Sequence, residues 1–300
     1  VSPMSTSGAL SLSYKTYGDP HLPPLILLMG LGTPSEAWPR PFIDMLVQRG
    51  LYVVTPDNRD AGASPAGTGL VTSRELFFSI MRYVLGGRVT APYTLTDMAD
   101  DVLLLMDTLS IRRAHVAGVS LGGMIAQCVA LKAQHRTLSL TCLSTASGNP
   151  RTGLGKMKAL KAILTPPDAQ TDPREHLKKT MQAIGTPGET YDDDFVTAVM
   201  KAAAQQKDPQ AGARRQVMAL LAEGNRTAKL RQLFVPTLVI HGEADPLLPV
   251  AAGKEIAAAV RGSTFVGIPG MGHDIPKVHW KKIADAVARH CYDAARGTRL

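Results

Sequence analysis

The pentapeptide G-V-S-L-G at residues 118–122 constrains the fold more than any other stretch of the chain. It follows a largely apolar run at 114–117 and leads into a largely apolar stretch at 123–130, which predicts a strand, a sharp turn and a helix. In such a turn the serine is strained, and the flanking glycines avoid collisions with the neighbouring strand and helix. We therefore expect the Ser120 hydroxyl to project into a cleft beside the backbone N–H of Leu121.

Residues further along the chain decide whether this turn is more than an ordinary glycine-rich turn, since the pattern also occurs by chance. The apolar run at 236–240 predicts a buried strand that leads into a polar turn containing Asp245. The run at 264–268 predicts another strand, and the glycine-rich loop after it ends at His273. A serine, an acid and a histidine in this order, each just past a predicted parallel strand, predict a Ser-His-Asp triad.

Four further motifs accompany G-V-S-L-G in the same order: L-M-G-L-G at 28–32 with A-W-P at 37–39, D-N-R-D-A-G-A-S at 57–64, Y-T-L-T-D-M-A at 93–99, and I-P-G-M-G-H at 268–273. Together these motifs resemble those of the α/β-hydrolase superfamily, from about residue 10 to about residue 295. More narrowly, they resemble the aclacinomycin methylesterase group and related bacterial esterases. The resemblance implies an α/β-hydrolase fold: a mostly parallel central sheet with helices on both faces and an inserted helical cap.

The composition changes in the middle of the chain. From about residue 147 to about residue 233 there are no strand-like runs, only helical stretches interrupted by prolines, and no motif matches the family. We therefore expect a core domain formed by residues 1–149 and 233–300, with residues 150–232 as a helical cap insertion. We also expect the cap to govern the choice of substrate without contributing to the bond-breaking step.

The resemblance implies a serine carboxylic-ester hydrolase, of carboxylesterase or methylesterase type, that acts on a small-molecule ester. Ser120 is then the nucleophile, His273 the base and Asp245 the residue that orients the imidazole. The family places its oxyanion donors at the backbone N–H groups of Leu31 and Leu121, although an ordinary strand-to-helix turn at 30–32 is an alternative. Enol-lactone hydrolysis or carbon–carbon bond hydrolysis by the same triad stays open, as does a non-enzymatic ligand receptor. The residues expected to line the substrate pocket are Gly30, Trp38, Met181, Met218 and Leu247.

A cofactor and a nucleic-acid partner are not expected. The triad requires no metal, and D-D-D at 192–194 fits the first turn of a helix, because consecutive carboxylates point to different faces. The formal charge of +8 is spread along the chain without a basic stripe interleaved with aromatic residues, which argues against nucleic acid. The charged groups of residues 57–60 are expected to form structural pairs. The oligomeric state stays open.

The compartment is expected to be the cytoplasm. The three cysteines show no paired spacing, as is usual for reduced thiols. The first residues lack a basic start followed by an apolar core, although a signal that had already been removed would leave no trace. Because no run approaches the ~20 apolar residues of a membrane span, a membrane partner is not expected.

Thr94 with Asp97 predicts a capping box at the start of a helix. The helical stretch before it carries a stripe of residues that looks too apolar to face water. We expect the stripe to pack in the core, with a wall of the acyl pocket as the alternative. Its members are Leu76, Phe77, Ile80, Met81, Val84 and Leu85.

Overall fold

The computed structural model describes residues 8–165 and 171–297. Seven strands form one sheet in the order β1-β3-β2-β4-β5-β6-β7, and only β1 runs antiparallel to its neighbour, β3. The strands are β1 (Tyr14–Tyr17), β2 (Pro24–Leu28), β3 (Tyr52–Pro56), β4 (Ala114–Val119), β5 (Thr137–Leu143), β6 (Thr237–Gly242) and β7 (Thr264–Ile268).

Helices cover both faces of this sheet. The α-helices of the described residues are α1 (Arg40–Gln48), α2 (Ser73–Val84), α3 (Leu95–Thr108), α4 (Leu121–Lys132), α5 (Pro150–Gly153), α6 (Met157–Leu164), α7 (Pro173–Ile184), α8 (Asp193–Ala203), α9 (Pro209–Glu223), α10 (Thr227–Leu230), α11 (Val250–Ala259) and α12 (Trp280–Gly297). One core cluster joins the sheet to α3, α4 and α11, and the other joins it to α1 and α12.

Strand β2 shows why a central strand can be a continuous apolar run. Ile26 and Leu28 belong to the cluster under α3 and α4, whereas Leu25 and Leu27 belong to the cluster under α1 and α12. Successive side chains of a strand point to opposite faces, so a strand covered on both faces has no position that faces water. All four side chains are buried.

The helical segment, as we call residues 144–236 between β5 and β6, contributes no strand in its described part. Its helices pack on one another and on the rest of the chain: α7 contacts α6 and α8, and α9 contacts α2 and α3. The segment leaves the sheet at the carboxyl end of β5 and returns at the amino end of β6.

Most of the apolar stripe on α2 does not lie in the core, so that expectation was wrong for all its members except Leu76 and Ile80. Phe77, Met81, Val84 and Leu85 are exposed, and Leu85 retains 81% of its accessible surface. The inner part of the helix packs against α9 through a small cluster that includes Val71. The sheet faces are already covered by other helices, so α2 has a partner on one side only.

Two predictions of local structure are confirmed. Thr94 and Asp97 form a capping box at the start of α3, and Asp192 caps α8 by accepting the Phe195 N–H at 2.7 Å. Among residues 8–165 and 171–297, the helices are too short or too polar to span a membrane.

Candidate active site

Ser120 occupies the sharp turn between β4 and α4. Its φ of 55° and ψ of −122° are rare for a residue with a side chain. Glycine is required on both sides, because a Cβ on Gly118 would lie 2.2 Å from the Gly122 carbonyl oxygen and one on Gly122 would lie 2.3 Å from that of Leu28. The Ser120 N–H donates to the Leu143 carbonyl at 3.0 Å, which ties the turn to β5.

Ser120, His273 and Asp245 meet at one edge of the sheet. His273 Nε2 lies 2.9 Å from Ser120 Oγ, and His273 Nδ1 lies 2.7 Å from Asp245 Oδ2. The three residues follow β4, β7 and β6, and the carboxyl ends of neighbouring parallel strands lie along the same edge of a sheet. The side chains therefore form one hydrogen-bonded relay from the serine hydroxyl to the carboxylate.

The Asp245 carboxylate is held in its ionised form. Burial raises its pKa, but the electrostatic interaction with the His273 ring, the nearby His241 ring and the hydrogen bonds from His273 and the Leu248 N–H outweigh burial and lower the pKa to about 2. Oδ1 accepts the N–H groups of Leu247 and Leu248 at 2.8 and 2.9 Å. Since an ionised carboxylate only accepts hydrogen bonds, His273 Nδ1 is the donor and its Nε2 is free to accept from Ser120.

The loop that carries His273 is tied to the helical segment, a contact that the sequence analysis did not predict. The His273 N–H donates to the Ile184 carbonyl at 2.8 Å. The neighbouring Asp274 carboxylate accepts the hydroxyls of Thr186 and Tyr191 at 2.6 and 2.7 Å. The only sequence signal for this contact is the acidic residue that follows the histidine, and nothing in the sequence predicts the partners of that residue.

The loop after β2 passes directly over the serine turn. A Cβ on Gly30 would lie 3.4 Å from Ser120 Cβ. Thr33 closes the loop, with its N–H donating to the Gly30 carbonyl at 3.3 Å and its hydroxyl to the Leu31 carbonyl at 2.9 Å. The N–H groups of Leu31 and Leu121 donate to no acceptor in the described part of the chain, so both are available to an oxyanion beside Ser120.

The residues expected in the substrate pocket are spread over different places. Gly30 adjoins Ser120, and Leu247 is buried beside Asp245. Met181 is half-buried on α7, near the end of the helix that leads to Ile184.

Trp38 and Met218 pack within apolar clusters. Trp38 is buried in the core beside α1 and α12, where it stacks on Phe42 with ring centroids 5.8 Å apart. Met218 packs against Val71 and lines a cavity of about 720 Å³ that has no relay residue in its walls. Helical geometry explains why Met218 faces this cavity. Its side chain points roughly 200° around α9 from that of Gln216, which reaches the loop after β2.

Neither a metal site nor a reactive thiol is present in the described part of the chain. Across the ranges that the structure describes, there is no group of three His, Cys, Asp or Glu side chains that could hold a metal ion. Cys128, Cys142 and Cys291 are buried free thiols, and burial raises the pKa of each to about 12. A thiol with so high a pKa is a poor nucleophile and a poor metal ligand.

Known proteins share sequence and fold with this chain. The model of the α/β-hydrolase fold family matches residues 23–279. The chain is 27% identical to the rhodomycin D methylesterase of Streptomyces peucetius, over 96% of this chain and 97% of that one. It is 25% identical to the 3-oxoadipate enol-lactonase 2 of Acinetobacter baylyi, over 87% and 85%. Among solved structures, a 2-hydroxy-6-oxo-6-phenylhexa-2,4-dienoate hydrolase of Rhodococcus sp. strain RHA1 superposes with a TM-score of 0.73 at 18% identity, covering 94% and 95%.

The predicted fold class is therefore confirmed, and so is the resemblance to esterases of the methylesterase type. With the parallel sheet, the serine turn and the match over most of its length, the chain belongs to the α/β-hydrolase family.

Proposed function

We propose that the protein is a serine carboxylic-ester hydrolase of the methylesterase type. The observation that carries this proposal is the relay in which Ser120 Oγ lies 2.9 Å from His273 Nε2 and His273 Nδ1 lies 2.7 Å from Asp245 Oδ2. The match to a rhodomycin D methylesterase over nearly the whole chain supports an ester as the substrate class.

The reaction proceeds through an acyl-enzyme. Ser120 Oγ attacks the ester carbonyl while His273 Nε2 accepts its proton, and Asp245 stabilises the imidazolium that forms. The N–H groups of Leu31 and Leu121 bind the negative charge that develops on the carbonyl oxygen. His273 then gives the proton to the departing alcohol. Next, His273 deprotonates a water that attacks the acyl carbonyl, and the proton passes to Ser120 Oγ as the bond to the acyl group breaks and the acid leaves.

We further propose that residues 150–232 serve as a cap over the site formed by core residues 1–149 and 233–300. The contacts of Thr186 and Tyr191 with Asp274 support this role, because they bring the segment against the histidine loop. A cap over the relay would exclude water and shape the space for the acyl and alcohol groups.

Replacing the nucleophile tests the proposal. Ser120→Ala should lower kcat for methyl and aryl esters by a factor on the order of 10⁴ to 10⁶, because the triad cannot act without the nucleophile. Ser110→Ala is the matched control, since Ser110 also has a positive φ, of 56°, but is exposed and outside the relay. Retention of more than a few per cent of the wild-type rate by Ser120→Ala, with contamination excluded, would contradict the assignment.

Enol-lactone hydrolysis is the second candidate, and the 25% identity to a 3-oxoadipate enol-lactonase favours it. A lactone is a cyclic ester, so the same relay can open it without releasing a separate alcohol. Methanol release from a methyl ester, measured beside ring opening of an enol-lactone, separates the two activities. Carbon–carbon bond hydrolysis has weaker support, because the 18% identical structure shows similarity of fold only. A ligand receptor would turn over neither substrate.

A further inference from the structure

Gln216, on α9, connects the helical segment to two loops of the sheet. Its side chain is fully buried. The Oε1 atom accepts the N–H of Gly32 at 2.7 Å, and the Nε2 atom donates to the carbonyl of Arg59 at 2.7 Å. One amide therefore holds the loop after β2 and the loop after β3 at a fixed separation, with both of its ends used.

The hydrogen bond between Gln216 and the Gly32 N–H affects the orientation of the neighbouring Leu31 N–H, the candidate oxyanion donor. The Gly32 N–H and the Leu31 carbonyl belong to one planar peptide unit. Gln216 holds the N–H of this unit, and the Thr33 hydroxyl holds its carbonyl at 2.9 Å. The preceding peptide unit, which contains the Leu31 N–H, is held at its Gly30 carbonyl by the Thr33 N–H. Only the two torsions of Leu31 separate the units, so the direction of the Leu31 N–H depends on both attachments.

Helix α9 is itself anchored where it carries Gln216. The Arg215 guanidinium binds the buried Asp60 carboxylate at 2.5 and 3.1 Å, and the Tyr93 hydroxyl donates to the same carboxylate at 2.6 Å. Removing one partner of such a buried pair is strongly destabilising, so the helix is firmly held at this point. A Cβ on Gly32 would lie 3.5 Å from Ala213 Cβ, which places the helix directly against the loop.

We propose that Gln216 is a positioning residue for catalysis, which fixes the Leu31 N–H in the direction that an oxyanion on the substrate requires. This inference rests on the proposed function. It assigns to the helical segment a part in the bond-breaking step, whereas the sequence analysis expected the segment only to choose the substrate. An oxyanion donor must be oriented before the reaction, because an N–H that has to reorient stabilises the developing charge less.

A substitution that keeps the volume but removes both polar ends tests this role. Gln216→Met should lower kcat for a p-nitrophenyl ester by about 10- to 100-fold, somewhat less than the loss of an oxyanion donor outright, with KM changed by less than about threefold. The rate at which a fluorophosphonate labels Ser120 should fall by a similar factor, since its transition state also places negative charge on an oxygen beside the serine.

Gln206→Met is the matched control. The Gln206 Nε2 also donates to two loop carbonyls, those of Gly62 and Ser64 at 2.9 and 2.6 Å, but among the described residues the side chain makes no hydrogen bond to the loop after β2. Its kcat, KM and labelling rate should stay within about threefold of wild type. Urea unfolding of both variants shows whether any loss follows from a general loss of stability.

Gln216→Glu provides a second variant if the methionine variant does not fold. An ionised glutamate still accepts from Gly32 but opposes the Arg59 carbonyl, whereas a protonated one makes both hydrogen bonds. The ratio of its labelling rate to that of wild type should therefore be at least about threefold higher near pH 6 than near pH 8. A merely structural role predicts lost stability in both Gln216 variants with kcat per folded molecule unchanged.

The outcomes separate this inference from the proposed function. If the wild-type protein hydrolyses esters and is labelled at Ser120 but Gln216→Met does both at the same rate, the inference is wrong and the function stands. Equal losses in Gln216→Met and Gln206→Met would also refute it. If the wild-type protein neither turns over esters nor is labelled at Ser120, the proposed function fails and this inference fails with it.

Discussion

Asp245→Asn should inactivate the relay by reversing one hydrogen bond. Oδ1 of Asp245 accepts the N–H groups of Leu247 and Leu248 at 2.8 and 2.9 Å. An asparagine must keep its carbonyl oxygen at this position, because its NH₂ group cannot accept a hydrogen bond. The NH₂ group then faces His273 Nδ1, where the carboxylate oxygen lay at 2.7 Å.

The imidazole responds by changing tautomer. Its Nδ1 has to accept from the new NH₂ group, so the ring proton moves to Nε2, the atom that must receive the Ser120 proton. A relay held in the wrong tautomer loses a factor on the order of 10⁴ in kcat while its geometry is kept, equivalent to about 5 kcal/mol of transition-state stabilisation. KM should change little, because Asp245 does not touch the substrate.

Steady-state kinetics on a p-nitrophenyl ester, together with urea unfolding, measures this effect. The isosteric change should leave the variant folded, so the lost activity should not follow from lost structure. A kcat within tenfold of wild type would refute the reasoning, because it would mean that Asp245 does not control which imidazole nitrogen carries the proton.

Two further predictions concern pH. Because the pKa of Asp245 is lowered to about 2, this carboxylate stays ionised over the working range, and kcat/KM should rise with pH through a single ionisation across the range in which imidazoles titrate. A profile measured from about pH 4.5 to 9 that shows two ionisations on its acid limb would contradict this expectation. Burial, with smaller contributions from His290 and Arg113, lowers the pKa of His115 to about 4, whereas an unfolded histidine binds its proton below about pH 6.5. Protonation therefore favours the unfolded chain as the pH falls between these values, and the cost reaches about 2.5 kcal/mol near pH 4.5. His115→Asn, which keeps a polar group next to Ser139, should lose less unfolding free energy than wild type between pH 7.5 and 4.5 in urea titrations, by about that amount; equal losses would exclude His115 as the cause.

The part of the site that lies in the sheet could be predicted because its causes are local. The close approaches at Gly118 and Gly122 exclude side chains, so the serine turn is encoded within five residues. The positions of Asp245 and His273 follow from a general rule, that parallel strands end at a common edge. An apolar run that ends in polar residues is enough to place a side chain there, and the structure does bring these two residues to Ser120.

The helices could be predicted less well, because periodicity defines a face but not the partner of that face. The stripe containing Phe77 and Met81 has the spacing of a buried face, yet the structure leaves both side chains exposed. Which stripe is covered depends on how helices far apart in the sequence share the limited surface of the sheet. The same uncertainty applies to Met218, an apolar residue on the face of α9 that packs away from the relay.

The inner face of α9 shows why Gln216 could not be found by looking for apolar stripes. Arg215 and Gln216 are both buried, although their types are usually found on a solvated face. They are buried because this part of the helix covers loops, whose backbone N–H and carbonyl groups and whose Asp60 carboxylate lose hydrogen bonds to water when they are covered. A leucine at 216 would leave the Gly32 N–H and the Arg59 carbonyl without these partners. Where an inserted helix lies on the loops of a site, its contact face must therefore be polar, and the sequence signal for such a contact is a glutamine or an arginine where an exposed residue would be expected.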